Sequence, residues 1–519
     1  MTPLTVYELL QHNLPHRADH PAIVHGSDGR VSYRALSDRV DVVAAWLRVR
    51  GVQKGDRVGL HLPKSVDEVV ATLAIAKVGA VWVNINARWM PRQVRHVAED
   101  CDIRVLITDR RRARGLVAED VAGRFSAVLV RGRPTEETHD AWDALAVRDD
   151  GPPERVIGAD LATLLYTSGS TGLPKGVMTT HRNVVDGARI VSRYLGNRAD
   201  DRVLGLLPMS FDYGLNQLTT MLYVGGTLVL QPVMMPTEIL RTVLEHEVTG
   251  LAAVPPAWIP IVRHLQAEPQ ALPSLRTITN TGGAVPDAIL EAMPQVFPGV
   301  DVVLMYGLTE AFRSCFLPPE RFADKRGAIG GPIPDVDIYV VHPDRGLQGP
   351  GGEGELVHRG ALVSRGYWGQ PEATAARLRP NVHLRGLVGD EPVLHSGDLV
   401  RIDDDGILWF VGRADSLIKC SGFRVSPTEV EEALFASGIV GDVVAWGEPD
   451  DELGQVVHVA VGAREGRTID VAALEAYTTR TMPTYMRPRR IHPWREPMPR
   501  TASGKLDRPR VVATARESA

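Results

Sequence analysis

Residues 166–176 read Tyr166-Thr167-Ser168-Gly169-Ser170-Thr171-Gly172-Leu173-Pro174-Lys175-Gly176, directly after the apolar run 161–165. One short loop here holds hydroxyls, glycines and a single lysine. That composition suits a polyphosphate: glycines let the backbone turn its N–H groups inward, Ser and Thr add donors, and the lysine supplies a point charge. The spacing is not G-x-x-x-x-G-K-[ST], because the lysine follows proline and precedes glycine. A flexible Ser/Gly linker is the alternative, but a Pro-Lys-Gly embedded after a strand-like run is unusual for a linker.

Outward from this loop, strands alternate with helices. Residues 32–50 carry apolar positions at helical spacing, 57–62 read as a strand, 66–78 as a helix and 80–85 as a strand. The pattern recurs at 127–130, 202–207, 227–230, 276–279 and 302–304, which predicts parallel sheets with helices on their faces. Residues 327–367 are rich in glycine and proline and predict a small β-barrel-like region. A hairpin follows over 399–411, turning at Asp403-Asp404-Asp405-Gly406. The expected class is α/β: a large N-terminal domain over 1–413 of packed βα sheets plus the barrel-like part, then a small α+β domain over 414–519.

With 519 residues, more than one core is required. A net charge of −5 gives no electrostatic case for nucleic acid, and Arg110-Arg111-Arg112 reads as solvated surface. The cysteines Cys101, Cys315 and Cys420 have no paired spacing, which argues against a disulfide framework or zinc site and for a reducing compartment. The apolar stretch 69–83 is broken by Lys77 and too short to span a bilayer, and no basic-then-apolar leader opens the chain. A cytoplasmic protein without membrane insertion is expected.

Further segments carry ligand chemistry. Thr279-Asn280-Thr281-Gly282-Gly283-Ala284 follows one strand; Met305-Tyr306-Gly307-Leu308-Thr309-Glu310 follows another, with an aromatic ring, a hydroxyl and a carboxylate able to hold Mg²⁺. Ser396-Gly397-Asp398 adds a carboxylate suited to ribose hydroxyls. Singly, each has a bland reading: Asp398 as a turn residue, Glu310 as a helix first-turn acid, Lys505 as a surface lysine.

Together with Gly412-Arg413-Ala414-Asp415, the segment 419–425 and Arg500-Thr501-Ala502-Ser503-Gly504-Lys505, these strings give the chain its resemblance to the AMP-forming adenylating superfamily. That superfamily holds acyl-CoA synthetases, amino-acid adenylation domains and luciferases, and the resemblance covers nearly the whole chain. It implies that a carboxylate attacks the ATP α-phosphate, giving acyl-AMP and pyrophosphate, and that a thiol then takes the acyl group. The thiol belongs to CoA or to a carrier protein's phosphopantetheine acting in trans. By the same resemblance, Thr167, Ser168, Gly169, Ser170, Thr171, Gly172 and Lys175 handle the β- and γ-phosphates, Thr309 the α-phosphate, and Glu310 Mg²⁺. Tyr306 stacks on adenine beside Gly282, Gly283, Ala284 and Gly307, while Asp398 and Arg413 hold the ribose. Lys505 bridges the reacting groups, Arg424 answers phosphate charge, and Asp415 is the hinge about which the small domain rotates.

The acyl pocket departs from the superfamily's usual string. Pro208-Met209-Ser210-Phe211-Asp212-Tyr213-Gly214 keeps an aromatic at Phe211 and follows it with a carboxylate. A buried carboxylate needs a partner. Asp212 therefore has two readings: recognition of a substrate ammonium, as in a β-amino acid, or a structural role as a helix cap or as the partner of Arg313. Thr281, Phe312 and Arg313 are the other expected substrate residues; Arg313 either binds a second carboxylate or is consumed by Asp212. The strings resemble both β-amino-acid ligases and specialised acyl ligases. The competing substrate is an apolar or fatty acid joined to CoA. The competing classes are a γ-phosphate-hydrolysing NTPase and a non-catalytic scaffold. Asn84 and Ala87 stand where the superfamily commonly has the two prolines of Val-Pro-Ile-Asn-Pro, with no consequence drawn.

Overall fold

The computed structural model describes every residue except 1, 27–28, 150, 168–173, 414–415, 417, 421–422, 451–452, 465–466, 502–503 and 519; of residues 167, 419, 423, 424 and 454 it describes the backbone alone. The expected motif residues Ser168, Gly169, Ser170, Thr171, Gly172 and Asp415, and the side chains of Thr167 and Arg424, therefore lie outside what is described.

Two largely parallel sheets build the first part. A nine-stranded sheet runs Gly331–Pro332, Cys315–Leu317, Asp301–Tyr306, Thr277–Asn280, Gly250–Ala253, Arg202–Gly205, Thr227–Leu230, Pro21–His25 and Gly29–Ser32. Its six inner strands are parallel and its ends antiparallel. A seven-stranded sheet runs Asp140–Ala141, Ala127–Arg131, Val105–Asp109, Arg57–His61, Val81–Asn84, Leu161–Thr167 and Lys175–Thr180, antiparallel only in its last pair.

Helices fill the space between these sheets. Tyr33–Val49, Val66–Lys77, His181–Tyr194 and Asp212–Val224 contribute to one apolar cluster that includes inward residues of both sheets. Val66–Lys77 shows why it belongs there. Ser65 caps it by accepting from the Glu68 N–H, its acids sit in the first turn, and nearly every position is apolar, so it is buried all round. Lys77 ends it at 2% exposure and is held by Asp41 at 2.9 Å and Asp149 at 3.2 Å, the pairing that a buried ammonium requires. Outer helices cover the far faces: Pro236–Glu245, Pro255–Ala267 and Asp287–Val296 on the larger sheet, Pro91–Asp100 and Arg110–Ala118 on the smaller. The stack is thus αβαβα.

The expected barrel-like part is a six-stranded antiparallel sheet centred on Glu353–Gly360 and Val393–Ile402, with Leu408–Arg413 closing the predicted hairpin. The last hundred residues form their own five-stranded sheet: Phe423–Val425, Ile418–Cys420, Gly454–Ala463 and Val440–Asp450, with Arg490–Trp494 parallel to Gly454–Ala463. Helices Pro427–Ala436, Val471–Thr481 and Arg508–Glu517 pack on it. All three cysteines are buried, and none is in a disulfide. Among the described residues no helix is long and apolar enough to cross a membrane.

Candidate active site

Ligands of open parallel sheets bind where the strands end, and here several strand ends meet the small C-terminal sheet. Between them lies a cleft of about 3140 Å³, more room than one small ligand fills. Lys175, Gly282, Gly283, Ala284, Tyr306, Gly307, Thr309, Glu310, Asp398, Arg413, Phe211, Asp212 and Lys505 all line it.

The phosphate-type loop joins two paired strands, with Thr167 opposite Lys175. The lysine therefore opens the returning strand, its Nζ 5.7 Å from the centre of the Tyr367 ring. Gly176 has no room for a side chain, since a Cβ would lie 3.0 Å from Tyr166 Cζ. Tyr166 in turn donates its hydroxyl to Asp100 at 2.6 Å.

Glu310 sits in a turn and not at a helix start, so the helix first-turn reading does not apply. One of its oxygens accepts the Tyr367 hydroxyl at 2.5 Å; the other makes no hydrogen bond with a described residue. One carboxylate beside a hydroxyl in an open cleft is the kind of donor set Mg²⁺ takes together with phosphate oxygens. Gly307 is required by packing: a Cβ would come 2.9 Å from the Phe312 carbonyl.

Asp398 lies within the strand Val393–Ile402, opposite Arg413, and is no turn residue. Its Oδ2 accepts the Tyr306 hydroxyl at 2.5 Å, whereas Oδ1 is buried without a hydrogen bond, 3.8 Å from Arg413 Nη1. Burial raises the Asp398 pKa against the pull of Tyr306 and Arg413, and raises the Tyr306 phenol well above its usual value. An orphaned carboxylate oxygen at the cleft wall is a ready acceptor for ligand hydroxyls.

Lys505 enters from the bend that precedes the last helix, Arg508–Glu517. Its Nζ lies 5.6 Å from the centre of the Phe211 ring, and a Cβ on Gly282 would come 3.2 Å from its Cε. Gly282, at φ 79°, thus makes room for the lysine. Burial lowers the Lys505 pKa, with Asp212 and Asp398 pulling the other way.

Asp212 is the first residue of the helix Asp212–Val224, whose N-cap is Phe211 without a side-chain bond, so the capping reading fails. Its partner is Arg313: Nη1 donates to Asp212 Oδ2 at 2.8 Å, with the side chains 1% and 5% exposed. The guanidinium also donates to the Phe312 carbonyl and lies 4.6 Å from the Tyr213 ring centre. Its Nε and Nη2 are buried without partners. Arg313, Phe312 and Thr281 do not line the cleft; all three are buried behind its wall.

Phe312 holds a left-handed backbone at φ 59°, a strained setting for a bulky residue. Its ring presses on helix His181–Tyr194 at Gly187, where a Cβ would lie 2.9 Å from Cδ1. Replacing Gly187 by Ala should cost about 1–3 kcal/mol through overpacking, read as a lower denaturation midpoint, and a midpoint unchanged from the parent would show that the ring can yield.

Sequence reasoning passed over several wall residues. Tyr367 and Phe410 back Glu310 and Tyr306. Asn84 donates to the Met209 carbonyl at 3.0 Å, and Asn86 to Ser210 at 3.3 Å, tying one sheet's edge to the segment before Phe211. For Asn84 the missing proline was the available signal, since an amide donor stands where a proline has none; Asn86 carried no such signal.

A family model described as "AMP-binding enzyme" matches residues 10–368, and one described as "AMP-binding enzyme C-terminal domain" matches 429–505. A feruloyl-CoA synthase of Amycolatopsis sp is 33% identical over 489 residues, covering 93% of this chain and 94% of that protein. Tyrocidine synthase 2 of Brevibacillus parabrevis is 30% identical over 97% of this chain, which spans only 13% of that protein. Among solved structures, an anthranilate CoA ligase with anthranoyl-AMP superposes with a TM-score of 0.89 at 26% identity, over 99% of this chain and 98% of that one. An o-succinylbenzoate CoA synthetase of Bacillus subtilis with its acyl-adenylate gives 0.84 at 26%, over 97% of each. Fold, cleft and comparisons agree: the chain belongs to the AMP-binding enzymes and is an ATP-using, AMP-forming acyl ligase.

Proposed function

We propose that the chain joins a carboxylic acid with an uncharged tail to CoA through an acyl-adenylate. The observation that carries the reaction is Lys505, brought by the segment before helix Arg508–Glu517 onto Phe211 and into the cleft that Asp398 and Glu310 also line. In this reading a carboxylate oxygen attacks the α-phosphorus. The bond to the β-phosphate breaks, and its electron pair leaves with pyrophosphate. The CoA sulfur, as thiolate, then attacks the acyl carbon and AMP departs. Lys505 neutralises charge that grows on the α-phosphate in the transition state, with Thr309 as a hydroxyl donor beside it. Glu310 holds Mg²⁺, which spreads the charge of the β- and γ-phosphates. Asp398 takes the ribose hydroxyls on its unpaired oxygen, and Tyr306 offers a ring face to adenine. Asp415 serves as hinge for a small domain beginning near 414.

CoA as acceptor is supported by two relatives matched over nearly their whole length, the feruloyl-CoA synthase and the anthranilate CoA ligase. The uncharged tail is supported by Asp212, whose charge Arg313 already balances. A second reading, a β-amino acid passed to a carrier protein, is favoured by Asp212, which lines the cleft and whose Oδ1 makes no hydrogen bond with a described residue.

A panel of unsubstituted, α-amino and β-amino acids in a pyrophosphate-release assay tests both. Unsubstituted acids should be preferred, and Asp212→Ala should lower every acid by a similar factor. Loss confined to amino acids, about tenfold or more, would overturn the uncharged-tail reading in favour of the second. ADP and phosphate in place of AMP and pyrophosphate would overturn both.

A further inference from the structure

One rim of the cleft carries three arginines that have no part in the chemistry above. Helix Pro91–Asp100 runs beside the phosphate-type hairpin, with His96 Nε2 3.0 Å from the Pro174 carbonyl oxygen. Arg88, Arg92 and Arg95 line the cleft along this edge. All three are exposed, and none makes an ion pair with a described residue; Arg95 donates only to the Glu119 carbonyl, at 2.6 Å. Helix Arg110–Ala118 docks against the same edge through Arg112, whose Nε and Nη2 donate to the Ala87 carbonyl at 3.0 and 2.9 Å. It adds Arg110, Arg111 and Arg114 behind the rim, likewise exposed and outside any ion pair with a described residue. Glu99 and Glu119 are the acids that line the cleft on this side.

The chain as a whole carries −5, so at long range it repels polyanions. Both the nucleotide that enters and the pyrophosphate that leaves are polyanions. A local field of opposite sign at the mouth raises anion concentration there and speeds association, and salt screens it. We infer that Arg88, Arg92 and Arg95, reinforced by Arg110, Arg111 and Arg114, form a polyphosphate-collecting rim. The triphosphate of MgATP meets it before reaching the hairpin loop, and pyrophosphate leaves across it. This rests on the ligase reading for its biological use, but not for its measurement.

The test compares the parent, the double reversal Arg88→Glu with Arg92→Glu, and a matched double reversal away from the cleft, Arg30→Glu with Arg345→Glu. Both control residues are exposed and neither lines the cleft. At low ionic strength the rim variant should lose about fivefold to tenfold in kcat/KM for MgATP, narrowing to about twofold at half-molar salt. Its KM for the acid should not move. Calorimetric binding of MgATP and of pyrophosphate, with no acid present, should weaken in parallel and with the same salt dependence. Unchanged binding in the rim variant, or an equal loss in the control pair, would overturn the inference. A parent that binds both anions but releases no acid-dependent pyrophosphate would sink the ligase reading instead, while the binding comparison still decides the rim.

Discussion

Replacing Lys505 by Ala should lower acid-dependent pyrophosphate release by about 10²–10³-fold while leaving nucleotide affinity within about threefold. The reason is geometric. Lys505 is the cation that the segment before helix Arg508–Glu517 brings onto Phe211 and against Gly282, where the proposed function places the reacting oxygens. In the proposed function Asp398, Tyr306 and the hairpin still hold the nucleotide, so the loss should fall on the transition state and not on binding. The pH dependence follows from the same site. Burial lowers the Lys505 pKa, so its charge is present at low pH and is lost, as pH rises, earlier than for a lysine in water. Activity of the parent should therefore fall on the alkaline side, and Lys505→Arg, whose charge persists, should move that fall upward in whatever activity remains. Pyrophosphate release by Lys505→Ala at the parental rate would remove the lysine from the mechanism.

The second large effect concerns the buried pair. Arg313→Met keeps much of the side chain's bulk but strands the Asp212 carboxylate at 5% exposure. Removing one partner of such a pair should cost about 3–5 kcal/mol, because the largely buried carboxylate loses its hydrogen-bonded counter-ion. Adding Asp212→Asn should recover more than half of the loss, as the pair then leaves together. Denaturant midpoints with an unchanged slope would measure both. A single Arg313→Met that unfolds with the parent would mean that Asp212 finds another partner, and the pocket wall would need a different account.

Much of the fold was legible because its signals are local. Alternating strands and helices announced parallel sheets, and the helix Val66–Lys77 begins and ends within a residue of its expected bounds. The hairpin at 399–411 lies where its Asp-rich turn put it, although the first strand starts earlier, at Val393. The division into two parallel sheets was not legible, since strand order depends on long-range pairing that no local pattern carries. The cleft-lining motifs were legible through their chemistry. The substrate wall was less so: Phe312 and Arg313 follow a cleft motif directly in sequence, yet a left-handed turn at Phe312 sends both side chains away from the cleft. Two readings of Asp212 stood open because the choice depended on an arginine 101 residues away.

Gly187, Phe312, Arg313 and Asp212 make one chain of mutual requirement: the missing Cβ admits the ring, the ring's strained backbone aims the guanidinium, and the guanidinium neutralises the carboxylate. Such a chain behaves as a single inherited character. Any one member is nearly immovable while the others stand, and the energies of joint changes depart from the sum of their parts. A descendant that changes Asp212 must therefore cross a stability valley, or exchange the set at once, and this wall will drift in blocks more than in single steps.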